Sequence, residues 1–370
     1  MFKIGILTYH YSVNYGAVLQ AYGLYQFLRG RDYEVEFIDY RPQTARNSNL
    51  KYLYFRGQRL IDPLLLVSGT KKSVEFNRFW QSRLKMSPKT YYTRAQLQQA
   101  KLDYDVVICG SDEIWNIDNS MLEYGADRSF FGDFLPQGET AKVSYAASFG
   151  GTIDLKQLQP KIQQLLQDFQ TVLVRDSNSQ RLVSELGLES KKVLDPTLIA
   201  DFSQIIEPPK VSKPYILLYG SFSLAQGRCI ESLARQKNLD IISIGARPGA
   251  WRSPVNRIGI SPEQWLGYFQ QASFVFTNYF HGTIFAIIFR QPFISFDRPE
   301  KSIKVRDLLT DLNLTQHLVK EDQLEEIDFA AFGQLELDTD NLKQKITESQ
   351  NLLLGAVTQA QSSRLVASSQ

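Results

Sequence analysis

His281, at a strand-to-helix turn, is the residue of this sequence best placed for chemistry. The segment Thr277-Asn-Tyr-Phe-His-Gly-Thr283 joins an apolar run to an apolar helix. Amide groups at a helix N-terminus bind anions, and Gly282 allows a bound group to approach the backbone. An imidazole beside that group can act as a general acid or base. We therefore expect Asn278, His281 and Gly282 to form an anion site; the alternative is a structural histidine.

Cationic side chains at other strand ends fit the same kind of ligand. Arg175 lies between an apolar run and the start of a helix. A guanidinium at such a position can bind a phosphate or carboxylate through two hydrogen bonds. A salt bridge to Asp176 or another neighbour is the alternative. Lys301 and Lys304 follow a later apolar run and would add charge near His281, although surface lysines are common.

The segment Gly110-Ser-Asp-Glu-Ile-Trp-Asn116 has the residue types that recognise sugars. Carboxylates accept hydrogen bonds from hydroxyls, and an aromatic face packs on a pyranose ring. Asp112, Trp115 and Ser111 are therefore candidates for sugar contact, whereas the alternative is a capping Asp and a core Trp. Asn14 and Gly16 are further candidates at strand ends. Ser148 is another, for which a tight turn is an equal alternative. His10 is the last, and its alternative role is a hydrogen bond to the loop backbone.

The elements around these segments predict an α/β protein. Short apolar runs alternate with stretches of helical periodicity, as in parallel sheets, whose ligands lie beyond the carboxyl ends of the strands. A proline-rich connector at 207–214 separates two such series. We expect two Rossmann-like domains, 1–208 and 209–370, facing each other across a cleft that holds the active site. The second domain is expected to end in a helix and a frayed tail.

Composition excludes several classes of protein. The chain has 370 residues, 43% of them hydrophobic, which indicates a globular protein. Its net charge of +2 is too small to give the strong positive potential that attracts nucleic acid. Its two cysteines lie in different halves, and the sequence shows neither a disulfide framework nor a metal motif. No apolar stretch approaches membrane-spanning length, so we expect a cytoplasmic protein, with peripheral membrane association left open.

Taken together and in order, the motifs resemble those of the polysaccharide pyruvyl transferase family. The resemblance covers most of the chain and rests on Asn14-Tyr-Gly-Ala-Val-Leu-Gln-Ala-Tyr22, Val107-Ile-Cys-Gly-Ser-Asp112, Trp115-Asn116, Ser144-Tyr-Ala-Ala-Ser-Phe-Gly150, Val174-Arg-Asp176, Leu194-Asp-Pro-Thr197, Thr277-Asn-Tyr-Phe-His-Gly282 and Pro292-Phe293.

That resemblance implies a GT-B-like fold and transfer of the pyruvyl unit of phosphoenolpyruvate to two hydroxyls of one sugar, with release of phosphate. The acceptor would belong to a cell-surface or exopolysaccharide glycan, free or lipid-linked, and no metal or cofactor would be needed. It implies that Arg175, His281 and Lys304 bind or activate phosphoenolpyruvate and that Asp112 contacts the acceptor or accepts a proton. Ala17 stands where many members have Asp.

Two other functions remain open from the sequence. A nucleotide-sugar glycosyltransferase of the same fold would use the same cations for a diphosphate and would release a nucleotide instead of phosphate. A catalytically silent carbohydrate-binding paralogue would bind without turnover, although the presence of Arg175 and His281 argues against it.

Overall fold

A computed structural model of the chain describes residues 1–43, 46–47, 49–50, 55–56, 59–60, 63–118, 127–136, 138–245, 251, 253, 255–298 and 302–368. The contacts within it divide the chain into two compact units. Unit 1 comprises Met1–Leu60, Arg78–Asp201 and Lys343–Gln370, and unit 2 comprises Ile61–Asn77 and Phe202–Leu342.

The first eight strands belong to unit 1: β1 Lys3–Leu7, β2 Glu34–Phe37, β3 Phe55–Arg56, β4 Arg59–Leu60, β5 Val106–Cys109, β6 Ala141–Ala147, β7 Thr171–Val174 and β8 Lys191–Lys192. The first six helices are α1 Tyr15–Arg29, α2 Pro63–Arg83, α3 Arg94–Gln98, α4 Gln159–Gln167, α5 Ser177–Glu185 and α6 Pro196–Ile199. Helix α2 continues from unit 2 into unit 1.

Unit 2 contains the remaining strands, β9 Tyr215–Tyr219, β10 Asp240–Ile244, β11 Val255–Arg257, β12 Phe274–Thr277, β13 Phe293–Phe296 and β14 Leu318–Val319. Its helices are α7 Leu224–Lys237, α8 Pro262–Gln271, α9 Phe280–Ile288 and α10 Ile303–Asp311, and α11, Thr339–Ser368, begins in unit 2 and returns to unit 1. Each unit therefore contains its own α/β series, as the sequence predicts.

Each unit is built on a six-stranded parallel sheet. The strand order is β2-β1-β5-β6-β7-β8 in unit 1 and β11-β10-β9-β12-β13-β14 in unit 2, while β3 and β4 form a separate antiparallel pair. Central strands such as β5 and β12 are buried along their whole length, as expected where helices cover both faces. Ligands of such sheets bind where the strand order reverses. That position lies between β1 and β5 in unit 1 and between β9 and β12 in unit 2.

The predicted domain division, 1–208 and 209–370, differs from the two units at two places: Ile61–Asn77 belongs to unit 2, and Lys343–Gln370 belongs to unit 1. Helix α11 buries Leu353 and Val357 completely, and the Ser349 hydroxyl accepts a 3.0 Å hydrogen bond from the Leu194 amide. Helix α11 extends to Ser368, and fraying of the tail stays a prediction. Long-range packing, which a local sequence pattern does not encode, stabilises this helix.

Local signals in the sequence predict several helix boundaries. The helical periodicity of residues 15–29 predicts the observed bounds of α1, and Ser261-Pro-Glu-Gln264 predicts the capping box that Ser261 forms on α8 with Gln264. For α5 the sequence predicts Ser177 as the N-cap, which is wrong by one residue: Asp176 is the N-cap, because its carboxylate accepts from the Ser179 amide at 2.8 Å. Carboxylate and hydroxyl caps are nearly interchangeable, so adjacent Asp and Ser residues compete for this role.

Candidate functional site

In unit 2, Asn278 joins the two loops at the point where the strand order reverses. Its amide nitrogen donates to the Ser221 carbonyl at 2.5 Å, and its amide oxygen accepts from the Ser221 backbone amide at 3.2 Å. Thr277 adds a 2.7 Å hydrogen bond from its hydroxyl to the Tyr219 carbonyl. The Asn278 side chain thus fixes the loop after β9 against the loop after β12. Its contact with phosphoenolpyruvate stays a prediction.

Helix α9 starts at this junction with His281 in its first turn. Tyr279 is the N-cap residue and makes no side-chain capping bond, and the Thr283 amide donates to the Tyr279 carbonyl at 3.1 Å. The amides of Phe280, His281 and Gly282 precede that bond, so they belong to the group of donors that a helix cannot satisfy itself. His281 is half-buried and packs edge-on against Phe280, with ring centroids 5.3 Å apart. The structure thus places His281 at a helix N-terminus, and binding of an anion there stays a prediction.

The junction of the loops after β9 and β12 leaves no room for a side chain at Gly282, and a substitution there tests this packing. A Cβ atom at this position would lie 2.1 Å from the Thr277 hydroxyl oxygen and 2.9 Å from the Tyr219 ring. We expect Gly282→Ala to lower the free energy of unfolding by about 1–3 kcal/mol, measured by urea denaturation. Gly355 in α11 is the matched control, because a Cβ there meets nothing within 4 Å. Gly355→Ala should raise stability by about 0.5–1 kcal/mol, and equal effects of the two substitutions would contradict this assignment.

Two cations lie next to the first turn of α9. The Lys304 ammonium is 5.5 Å from the centroid of the Phe280 ring, and the Arg298 guanidinium carbon is 5.8 Å from the centroid of the Tyr279 ring. Both residues are half-buried. Lys304 is thus close to α9, as the sequence suggested, whereas Lys301 lies outside the described residues. The sequence analysis did not identify Arg298, although its position directly after β13 was the available signal.

In unit 1, Arg175 holds two carboxylates. Its side chain is 1% exposed, and its terminal nitrogens lie 2.8 Å from the Asp195 carboxylate and 3.4 Å from that of Asp112. Burial lowers the pKa of Arg175, but the charges of Asp195 and Asp112 outweigh burial and raise the pKa above its ordinary value. The salt-bridge alternative is therefore what the structure contains, with partners other than Asp176. A contact of Arg175 with phosphoenolpyruvate stays a prediction.

Asp112 is fixed in place yet accessible. One carboxylate oxygen accepts from the Glu113 amide at 2.9 Å and faces Arg175, and 19% of the side chain is exposed. Ser111 is buried and supports this turn, because its hydroxyl accepts from the Asp112 amide at 2.6 Å. The carbonyl of Ser111 accepts from the Thr8 hydroxyl at 2.9 Å. A held, partly exposed carboxylate suits contact with a hydroxyl.

Trp115 and Ser148 belong to the interior of unit 1. The Trp115 ring is completely buried, stacks on Phe131 at 5.2 Å and donates to the Phe130 carbonyl at 3.2 Å. A sugar has no access to this ring in the structure, so Trp115 takes the core role that the sequence left as its alternative. The buried Ser148 hydroxyl donates to the Asp176 carboxylate at 2.6 Å. It organises the turn after β6.

Asn14 and Gly16 form the start of α1. The exposed Asn14 is the N-cap, and its side-chain oxygen accepts from the Gly16 amide at 2.9 Å and from the Ala17 amide at 3.4 Å. Capping accounts for the presence of an Asn at this position. Acceptor contacts of Asn14 and Gly16 stay predictions.

His10 is a buried structural residue. One ring nitrogen lies 2.9 Å from the Asp39 carboxylate and the other lies 3.1 Å from the Thr8 carbonyl. Burial raises the pKa of Asp39, but hydrogen bonds from His10, Arg41 and Thr90 outweigh it and hold that pKa well below its ordinary value. The backbone-bonding alternative for His10 was correct in part, since Asp39 is its second partner.

Comparison with solved structures shows the class of fold. An alpha-glucosyltransferase in complex with UDP is 10% identical, with 95% of each chain covered and a TM-score of 0.50. The UDP-GlcNAc 2-epimerase of Methanocaldococcus jannaschii in complex with UDP-GlcNAc and UDP is 12% identical, with 90% of this chain and 92% of that chain covered and a TM-score of 0.49. The chain has the predicted GT-B-like class of fold, with two Rossmann-like units.

The family follows from the sequence itself. The family model of the polysaccharide pyruvyl transferases matches residues 14–299, and this chain belongs to that family. The match includes Asp112, Arg175, His281 and Arg298 and ends before Lys304. Comparison with curated proteins gave no match.

Among the residues that the structure describes, no group of three or more His, Cys, Asp and Glu side chains is arranged to hold a metal ion. In the same part of the chain, no helix combines the length and the apolar character needed to cross a membrane.

Proposed function

We propose that this transferase moves the pyruvyl group of phosphoenolpyruvate to two hydroxyls of one sugar, forming a ketal and releasing phosphate. The observation that carries the proposal is the pair of cations at the first turn of α9, where Lys304 lies next to Phe280 and Arg298 lies next to Tyr279. Phosphoenolpyruvate has a phosphate and a carboxylate, and each anion can pair with one cation. Amides of the helix N-terminus add donors for the phosphate.

His281 would supply the proton that the reaction requires. Protonation of the methylene carbon of phosphoenolpyruvate makes it a methyl group and leaves an oxocarbenium-like carbon that carries the carboxylate and the phosphate. Half-burial of the imidazole limits competition from water. Fixed positive charge around the phosphate stabilises its departure in a later step.

Asp112 would act on the acceptor. Its partly exposed carboxylate accepts the proton of the first sugar hydroxyl as that oxygen bonds to the activated carbon. The C–O bond to phosphate then breaks, the second hydroxyl closes the ketal ring, and its proton goes to the departing phosphate. Arg175 keeps the Asp112 carboxylate oriented.

The proposed reaction needs neither a metal nor a cofactor and takes place in the cytoplasm. If the sugar is lipid-linked, the protein would work at the inner face of the membrane. The test is incubation with phosphoenolpyruvate and a panel of free and lipid-linked glycans, followed by phosphate assay and product mass. A ketal product with one phosphate per transfer is expected. Turnover of a UDP- or GDP-sugar with nucleotide release would replace this proposal by the glycosyltransferase alternative.

Removal of either cation should weaken donor binding. A charge-assisted hydrogen bond contributes about 1.5–3 kcal/mol, so Lys304→Met and Arg298→Met should each raise the KM for phosphoenolpyruvate by about 10- to 100-fold. Initial-rate kinetics at several ionic strengths would measure this. Lys237→Met, at an exposed position of α7, is the control and should leave this KM unchanged. An unchanged KM in both site variants would contradict the assignment of the anion site.

A further inference from the structure

Asp195 binds Arg175 more closely than Asp112 does. The Arg175 guanidinium lies 2.8 Å from the Asp195 carboxylate and 3.4 Å from that of Asp112. Charge-assisted hydrogen bonds between nitrogen and oxygen are about 2.7–2.9 Å long, so the first contact is a full hydrogen bond and the second is longer than usual. Two carboxylates therefore share one guanidinium unequally.

The Asp195 carboxylate is itself fixed in place. Asp195 is the N-cap of α6, and one of its carboxylate oxygens accepts from the Thr197 amide at 3.0 Å and from the Thr197 hydroxyl at 2.7 Å. The other oxygen accepts from Arg175. Because Thr197 holds the first oxygen, the second is aimed at the guanidinium. The segment 194–197, which carries part of the family resemblance, thus anchors Arg175.

A second connection joins Asp195 to the turn that contains Asp112. The Ser111 hydroxyl lies 3.5 Å from the Asp195 oxygen that faces Arg175, and it accepts from the Asp112 amide at 2.6 Å. Asp195 is therefore linked to the side chain of Asp112 through Arg175 and to its backbone through Ser111.

The negative charges around Arg175 outnumber the positive one. Asp176, whose charge also acts on Arg175, caps α5 and accepts from the Ser179 amide at 2.8 Å. Of the two carboxylates that contact the guanidinium, that of Asp195 is 1% exposed and that of Asp112 is 19% exposed. A buried charge is the more costly one to leave without its partner, so the guanidinium mainly serves Asp195. Asp112 keeps negative charge at an accessible position.

We propose that Asp195 is a positioning residue for the proton acceptor: it holds Arg175 back from full pairing with Asp112. A carboxylate that pairs fully with a guanidinium binds a proton less readily, because the positive charge favours its ionised form. At 3.4 Å, Arg175 still orients Asp112, and the carboxylate can accept the proton of a sugar hydroxyl. This inference rests on the proposed function, in which Asp112 is that acceptor.

A crystal structure of Asp195→Asn tests the proposal without turnover. The amide keeps the shape of the side chain but removes its charge, so the guanidinium should move toward the remaining carboxylate. The distance between Arg175 and Asp112 should shorten from 3.4 Å to about 2.8 Å. Asp176→Asn is the matched control, because Asn also caps a helix, and it should leave this distance unchanged. An unchanged distance in Asp195→Asn would overturn the proposal.

A double-mutant cycle tests the effect on the reaction. Asp195→Asn should lower kcat by about 10-fold, a part of the total contribution of a general base, and leave the KM for phosphoenolpyruvate unchanged. In the Asp112→Asn background the same substitution should lower kcat by less than about 2-fold, because the group on which Asp195 acts is already lost. Equal losses in the two backgrounds would show a merely structural role.

Thr197 provides a milder variant, which carries the test if Asp195→Asn does not fold. Thr197→Val removes the 2.7 Å hydrogen bond that fixes the Asp195 carboxylate, so Arg175 should move toward Asp112. The loss of one hydrogen bond predicts a fall in kcat of about 2- to 5-fold. Thr197→Ser keeps the hydroxyl and should retain the kcat of the unaltered protein. Equal kcat in the two Thr197 variants would count against the proposal.

The outcomes distinguish the positioning role from the proposed reaction. A shortened distance between Arg175 and Asp112 in Asp195→Asn, without ketal formation by the unaltered protein, would support the hold on Arg175 and refute pyruvyl transfer. Ketal formation with an unchanged distance and an unchanged kcat in Asp195→Asn would refute the positioning role and leave the reaction standing.

Discussion

Replacing His281 by alanine should lower kcat for phosphate release from phosphoenolpyruvate by about 10²- to 10⁴-fold, the usual contribution of a general acid. The KM for phosphoenolpyruvate should change less, because Lys304 and Arg298 remain next to α9. Steady-state kinetics with a saturating acceptor would measure both constants. His281→Gln should give the same loss of kcat, since an amide keeps a hydrogen-bond donor but cannot transfer its proton.

His317 supplies the control for this experiment. It is a buried histidine of unit 2 that stacks on Phe293 and lies 2.9 Å from the Phe293 carbonyl. His317→Gln should lower Tm and leave kcat unchanged, which separates loss of a buried histidine from loss of the acid. Near-normal kcat in His281→Ala would refute the assignment of His281 as the proton donor.

Replacing Arg175 by methionine should have the largest effect on stability. It leaves the Asp195 carboxylate, 1% exposed, without the guanidinium that lies 2.8 Å from it. Removing one partner of a buried ion pair costs about 3–5 kcal/mol, which urea unfolding would measure as a lower free energy of unfolding. The control is Arg181→Met, which removes an exposed i,i+4 pair with Glu185 and should cost at most about 0.5 kcal/mol.

The same variant separates two roles for Arg175. If the guanidinium mainly binds phosphoenolpyruvate, Arg175→Met should raise the KM for that substrate at nearly unchanged stability. If it mainly organises unit 1, stability falls and kcat falls with it, because Asp112 loses its orienting partner. The 2.8 Å and 3.4 Å contacts to Asp195 and Asp112 favour the second result.

Sequence patterns predicted what depends on neighbouring residues. The α/β class, the bounds of α1 and the capping box of Ser261 follow from local periodicity and composition. The apolar run Asp105-Val-Val-Ile-Cys109 likewise predicts that Cys109 is buried on a strand, as it is in β5. Burial raises the pKa of the Cys109 thiol to about 12, which fits a packing role rather than a reactive one.

The patterns missed what depends on residues distant in the chain. Asn278 is a residue type that can contact a ligand, but its partner Ser221 lies 57 residues away in the chain. The backbone of Ser221 uses both polar atoms of the Asn278 side chain. Trp115 comes shortly after Ser111 and Asp112 in a segment whose residue types suit sugar contact. In the structure, aromatic rings such as those of Phe149 and Phe169 bury it.

The return of α11 to unit 1 has a consequence for how the chain folds during synthesis. Residues 343–370 complete unit 1, but the ribosome makes them only after the whole of unit 2. Leu353 and Val357, both fully buried in the finished protein, are absent while the earlier part of unit 1 is emerging. Domains usually fold in order from the N-terminus. Here the first unit to emerge is therefore the last to acquire all of its core.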